Sequence, residues 1–339
     1  MALVLITFLL SSCNEPHYIS YSPEDIGDGW KTGSIYSVLD TNSNFESKDF
    51  VRIIEKNHFK NIHSILIVKN GSLLFESYFH GYTREKEHDL RSSTKSILSL
   101  LVGIAQDNKL LNINDPIQTY LPEYQDSLVW SEKKKTISSE DLLLMKSGLD
   151  SDDWDKNSPG FELKMYKSKD WAQFILKQAV TADPGKSFRY STGGTVLLGR
   201  VLSNAVKESI PSYSKKVLFN PLEIREPLWQ KTPSNQTDTG GHLYLKPRDM
   251  AKIGQIVLDK GRWKNKQIVS QQWIENSTKP KTIIPKQEHL ELSYSYLWWH
   301  HDFIVNNQKI KSVIAWGNGG QFIFVMPDLD MVTVFTGGN

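Results

Sequence analysis

Apolar and polar positions follow a different rhythm in different parts of the chain. Residues 2–10 form an unbroken, uncharged apolar run. It is too short to span a bilayer as a helix and has the size of a signal-peptide core. Residues 14–50 are polar and glycine-bearing and predict an irregular lead-in. The runs 63–69 and 72–79 flank Asn70-Gly71, a strong short-range signal for a hairpin. Over 89–108, Ile97, Leu98, Leu100, Leu101, Val102, Ile104 and Ala105 cover most of a helical circumference. That pattern predicts a helix buried on several sides. Helical patterns recur at 141–146, 171–180 and 195–205, and 247–259 predicts a helix entered through proline. The tail predicts strands at 294–299, 311–316, 321–326 and 331–335, with Asp328-Leu329-Asp330 as the last hairpin turn.

Strand pattern therefore sits at both chain ends, with a mainly helical middle. One sheet built from both ends, with a helical region inserted between, is the economical arrangement. The expected division is 1–13 as a leader, 14–50 as lead-in, 51–108 with 241–339 as a sheet domain, and 109–240 as an inserted mainly helical domain. The fold class is α/β (α+β).

Composition narrows the function classes. The 339 residues carry 40 basic and 38 acidic side chains, a balance that gives no argument for a nucleic-acid partner. The single cysteine excludes an intrachain disulfide and a Cys-based zinc site. Gly185-Lys186-Ser187 mimics the end of a phosphate-binding loop, but Val180 stands where its first glycine belongs. No histidine pair has metal-ligand spacing, and His300 and His301 would point apart on a strand. The expectation is an enzyme without metal or organic cofactor.

Ser-x-x-Lys occurs at Ser92, Ser131 and Ser212. About three such matches are expected by chance, so context must separate them. Ser131 lies in a lysine-rich polar stretch and Ser212 beside Pro211. Ser92 alone opens a buried helix. Residues i and i+3 share a helix face, so the Lys95 amine can reach the Ser92 hydroxyl. The helix start offers free N–H groups and a positive dipole end to a developing oxyanion. A buried amine there can act as the base.

The chain here resembles the serine β-lactamase and penicillin-recognising superfamily. It is most similar to class C β-lactamase-related and 6-aminohexanoate-dimer hydrolase-like enzymes. Ser92-x-x-Lys95 corresponds to the first motif. Ordered matches follow at 141–149, 184–191, 247–254, Gly261-Arg262-Trp263, 296–299 and Gly319-Gly320-Gln321. The resemblance runs from about Asp28 to the end. It implies a β-lactamase/transpeptidase-like fold, an antiparallel sheet flanked by helices with an inserted mostly helical region, and a site between the two parts.

The second motif, Tyr-x-Asn in the family, reads Tyr190-Ser191-Thr192. The Tyr190 phenol would relay the serine proton. Thr192 would bond Lys95 or substrate, without the amide's paired donor and acceptor. The third motif corresponds to Trp316-Gly317-Asn318-Gly319-Gly320-Gln321, and Lys31-Thr32-Gly33, too early in the chain, is a decoy. Asn318, Gly319 and Gly320 are the expected substrate and oxyanion segment, with Asn318 or Gly320 as donor beside the Ser92 N–H. No cation stands where the family has Lys or His, which favours neutral substrates. Trp154, Trp298, Trp299 and Trp316 are candidates for an acyl pocket.

Leu10-Ser11-Ser12-Cys13 resembles a bacterial lipobox. The resemblance implies a lipid on Cys13 and a place on the bacterial cell envelope, the lipid being the only membrane contact. No Lys or Arg precedes the apolar run, and relatives continue past Gly337-Gly338-Asn339 into a closing helix. Both observations leave open a longer chain at either end. The sequence thus points to a serine hydrolase acting on small-molecule esters or amides through an acyl-enzyme. A true β-lactamase or D-alanyl-D-alanine carboxypeptidase, and a non-catalytic ligand-binding homologue, are the alternatives.

Overall fold

The computed structural model describes residues 18–21, 23–38, 61–124, 129–284 and 290–338. Cys13 and the apolar run before it lie outside the described residues.

Asn70 and Gly71 both take positive φ (49° and 70°), the turn conformation that matches strand twist. They join Ile62–Lys69 to Ser72–Phe79 as the sequence predicts. Ile62–Lys69 then pairs antiparallel with Met331–Gly337, which brings the two ends of the chain into one sheet. From there the sheet runs through Gln321–Met326, Gln308–Gly317, Trp298–Val305 and Ser293–Ser295 to Thr282–Ile283. Tyr18–Tyr21 lies on the far edge beside Ser72–Phe79. The pairing along this path is antiparallel. The exception is Lys31–Thr32, which runs parallel beside Ser72 and Leu73.

Two expectations need correction. The lead-in supplies two strands and a 3-10 turn at Ile35–Ser37, so it is not irregular throughout. The predicted strand 294–299 is the meeting of two strands: Leu297 turns back at φ 67° between Ser293–Ser295 and Trp298–Val305. An aromatic run with no Gly, Pro, Asn or Asp carries no turn signal, which hid the reversal.

Alternate strand residues point to opposite faces. Leu66, Val332, Val334, Ile323 and Ala315 are wholly buried on one face. Against it pack the helices Thr94–Asp107 and Pro247–Leu258. Each fully buried Val, Leu or Ile stabilises the fold by about 1.5–3 kcal/mol. Gly254 marks the closest approach: a Cβ there would stand 2.4 Å from Val332 Cγ1. Thr192–Val206 packs on the Thr94–Asp107 helix, and Trp171–Leu176 packs on Thr192–Val206. Ser191 caps the second of these, its Oγ accepting the Gly194 N–H at 2.9 Å. A small sheet of His88–Asp89, Leu243–Leu245 and Leu228–Trp229 joins the two parts.

Candidate active site

The predicted helix over 89–108 begins later than expected. Arg91–Ser93 forms a 3-10 turn, and the α-helix starts at Thr94. Arg91 takes φ 49°, uncommon for a side chain with a Cβ and costing of order 1 kcal/mol. Three neighbouring hydroxyls fix this turn. Ser93 Oγ donates to Gln321 O (3.0 Å), Thr94 Oγ1 accepts the Leu243 N–H (3.3 Å), and Ser96 Oγ donates to Leu297 O (2.7 Å). Ser92 is left half-buried beside them, its side chain not used as a helix cap.

Lys95 is 1% exposed. Its Nζ donates to Ser92 Oγ at 2.9 Å and to Gly240 O at 2.5 Å. The structure thus brings the two residues of the spacing argument within hydrogen-bond distance, and Gly240 O is a partner the sequence did not show. Two carboxylates, the half-buried Asp153 and the buried Asp238, act on this amine. Burial pushes Asp153 up, opposed by the Thr192 N–H and hydroxyl and by Lys95. Burial also pushes Asp238 up, opposed by His242, Lys95 and the Gly240 and Gly241 N–H groups.

Tyr190 stands over the same amine, its ring centroid 5.3 Å from Lys95 Nζ. Its ring lies parallel to Trp154 (5.7 Å, 6°) and tilted against Trp299 (5.6 Å), which in turn meets Trp316 (5.6 Å). Phe188 and Tyr294 complete this aromatic wall. Trp298 does not belong to it. It is wholly buried and, one residue from Trp299, faces the opposite side of the strand.

Thr192 is the first residue of the Thr192–Val206 helix and buried. Its N–H donates to Asp153 Oδ2 at 2.5 Å, and its hydroxyl also serves that carboxylate. Thr192 thus bonds Asp153, and not Lys95 as the sequence allowed. The Asp153 N–H returns to Tyr190 O (2.8 Å), and its other oxygen takes the Glu162 N–H (2.9 Å). This carboxylate stitches the Tyr190-Ser191-Thr192 turn in place. Sequence reasoning missed it because Asp153 is one of four aspartates within 150–155 and no spacing sets it apart.

Asn318, Gly319 and Gly320 form the turn between Gln308–Gly317 and Gln321–Met326. The Gly319 N–H is taken by Asn318 Oδ1 at 2.9 Å, so Gly319 is not a free donor. Asn318 is exposed. The tight contact with the Ser92 turn comes one residue earlier. A Cβ on Gly317 would stand 2.2 Å from Leu90 O and 3.1 Å from Ser93 Oγ. Among the described residues no group of three or more His, Cys, Asp or Glu could hold a metal ion. None of their helices is long and apolar enough to cross a membrane.

Comparison with known proteins adds the family. The chain is 27% identical over 189 residues to protein flp of Staphylococcus aureus, covering 53% of this chain and 36% of that protein. It thus spans about a third of that relative's length. It is 22% identical over 303 residues to the 6-aminohexanoate-dimer hydrolase of Paenarthrobacter ureafaciens, covering 80% of this chain and 71% of that one. The solved D-stereospecific amidohydrolase from a Streptomyces species superposes with a TM-score of 0.62 at 15% identity, over 83% of this chain and 91% of that chain. The family model described as Beta-lactamase matches residues 62–336, from the first long strand to the last. By that match the chain belongs to the beta-lactamase family.

Proposed function

We propose that the chain is a serine hydrolase that opens neutral ester or amide bonds of small molecules through an acyl-enzyme on Ser92. The observation that carries this reading is the 2.9 Å contact between the buried Lys95 amine and Ser92 Oγ. Ser92 Oγ attacks the substrate carbonyl while its proton passes to Lys95, directly or through the Tyr190 phenol. The same proton goes to the leaving alcohol or amine as the carbonyl re-forms. Water then adds to the acyl ester and gives its proton to the same base, which passes it to Ser92 Oγ as the ester bond breaks and the acid leaves. The Ser92 N–H, with one from Asn318 or Gly320, receives the oxyanion. The aromatic wall of Trp154, Tyr190, Trp299 and Trp316 suits an apolar acyl group. The names of the Paenarthrobacter and Streptomyces relatives, an amide-dimer hydrolase and an amidohydrolase, fit this chemistry.

A fluorophosphonate probe tests the nucleophile. Wild type is labelled and Ser92→Ala is not; equal labelling of both sinks the assignment. A p-nitrophenyl ester panel should show turnover that exceeds turnover of nitrocefin. Faster nitrocefin turnover would move the reading to a true β-lactamase. Membrane attachment through Cys13 belongs to the same proposal and rests on the lipobox-like Leu10-Ser11-Ser12-Cys13. Cys13→Ala should then release the protein from the membrane fraction of expressing cells, and an unchanged distribution refutes the anchor.

A further inference from the structure

A chain of ionisable groups joins the Ser92 turn to the carbonyl that holds Lys95, and the hydrolase reading does not use it. Asp89 stands at one end. Its Oδ1 accepts the Arg91 N–H at 3.0 Å, and its Oδ2 lies 3.1 Å from Arg91 Nε. The same Oδ2 is 2.8 Å from His242 Nδ1. The opposite ring nitrogen, His242 Nε2, lies 4.0 Å from Asp238 Oδ2. Asp238 Oδ1 accepts the N–H groups of Gly240 (3.0 Å) and Gly241 (3.1 Å). Gly240 O in turn receives the Lys95 amine.

We propose that His242, carrying its proton between Asp89 and Asp238, is a positioning residue that locks the Ser92 turn and the Gly240 carbonyl into one arrangement. The inference rests on the hydrolase reading. Three features of the geometry support it. Arg91 and His242 both hold left-handed backbone, at φ 49° and 59°, and each needs local contacts to stay there. Asp238 is 2% exposed, and His242 stands ahead of Lys95 among the groups that oppose the cost of burying its charge. A protonated imidazole places one N–H toward each carboxylate, whereas the neutral ring can serve only one.

The groups facing His242 are Asp89 and Arg91 from the nucleophile segment, Asp238 from its own loop, and Tyr244 through its contact with Asp89. The bond to Asp89 raises the imidazole above its ordinary range; burial and Arg91 oppose this, and Asp238 adds to it. The bridge therefore holds while the ring keeps its proton and opens as pH climbs through that raised value.

The test is the pH profile of kcat/KM for a neutral p-nitrophenyl ester, with the full chain as wild type, His242→Gln and Asp89→Asn. Wild type should lose turnover along an alkaline limb. His242→Gln should lack that limb and sit low at every pH, by roughly ten- to hundredfold, the usual scale for a misplaced reacting group. The loss should fall on kcat with KM unchanged. Asp89→Asn should keep the limb and move it toward acid, because the group that raises His242 is gone. A His242→Gln enzyme that keeps the limb, or loses only KM, overturns the bridge; the second result marks His242 as a substrate contact. If His242→Gln does not fold, as judged by circular dichroism, an unmoved limb in Asp89→Asn overturns it instead. Absence of fluorophosphonate labelling on wild-type Ser92 is a different failure. It removes the hydrolase reading and takes the bridge with it.

Discussion

Where the Ser92 oxygen stands is decided by its neighbours' hydroxyls rather than by the helix alone. Ser93, Thr94 and Ser96 each bond a different segment: Gln321, Leu243 and Leu297. Replacing Ser93 by Ala leaves Gln321 O without that donor, a cost of about 1–3 kcal/mol for a buried acceptor. Thermal melting should show that cost, and kcat should fall as well, since the turn loses its tie to the strand. A variant with wild-type kcat and lowered stability would show that the tie is structural only. Asp153 gives a second prediction at this scale. Asp153→Asn keeps an oxygen for the Thr192 N–H, and Asp153→Ala keeps none. The Asn variant should retain a larger share of kcat, with Ala lower by roughly tenfold or more. Equal rates for the two would deny the hydrogen bond its role. Ser92 and Lys95 were legible in the sequence because three residues bring them to one helix face. Asp153, Asp238, Gly240 and His242 were not, because each meets Lys95 or Asp89 across 58 to 153 residues of chain, and no periodicity spans that.

Elements were legible where local chemistry dictates geometry. Asn70-Gly71 sets its own turn, and Pro247 opens its own helix. The helix expected at 141–146 occupies Ser139–Leu143 instead, because Ser138 and Asp141 form a capping box that fixes the start. Met145, at φ 58°, lies beyond its end. Elements were illegible where tertiary contact decides, as at the Leu297 reversal and the strands of the lead-in. The third motif belongs to this second kind. Its glycines announced a close approach, but the closest one to the Ser92 turn is Gly317, seated against Leu90 O. Gly317→Ala puts a methyl 2.2 Å from that backbone oxygen, and neither strand nor turn can yield without moving Ser92. Overpacking of this kind costs about 1–3 kcal/mol. Turnover should drop by more than the melting temperature explains, and probe labelling of Ser92 should slow in parallel. Labelling at the wild-type rate would show that the turn tolerates the displacement.

At the scale of the whole molecule, the sheet closes only when the first and last long strands pair, across more than 250 residues. Thr336 fastens that seam: its Oγ1 meets Ser64 Oγ at 2.6 Å and His88 Nε2 at 3.3 Å. His63 and Tyr82 stack on one another at 3.7 Å, with His88 5.0 Å from Tyr82. Burial lowers His88 to about 3, and His300, buried on Trp298–Val305, to about 4. In the unfolded chain both titrate near their ordinary 6.5. Between those values the unfolded state binds more protons than the native one, so stability rises with pH and is lost as pH falls below 6.5. At pH 5 the loss from each histidine is on the order of 2 kcal/mol. His242 works in the opposite sense, since its raised value lends stability that disappears as pH climbs through it. The fold should therefore be most stable near neutrality. The melting temperature should drop from pH 7 to pH 5, and His88→Gln should flatten that drop while melting lower at pH 7 for want of a fitted ring. If the variant loses as many degrees as wild type across that interval, the seam histidine binds its proton equally in both states and the acid sensitivity lies elsewhere.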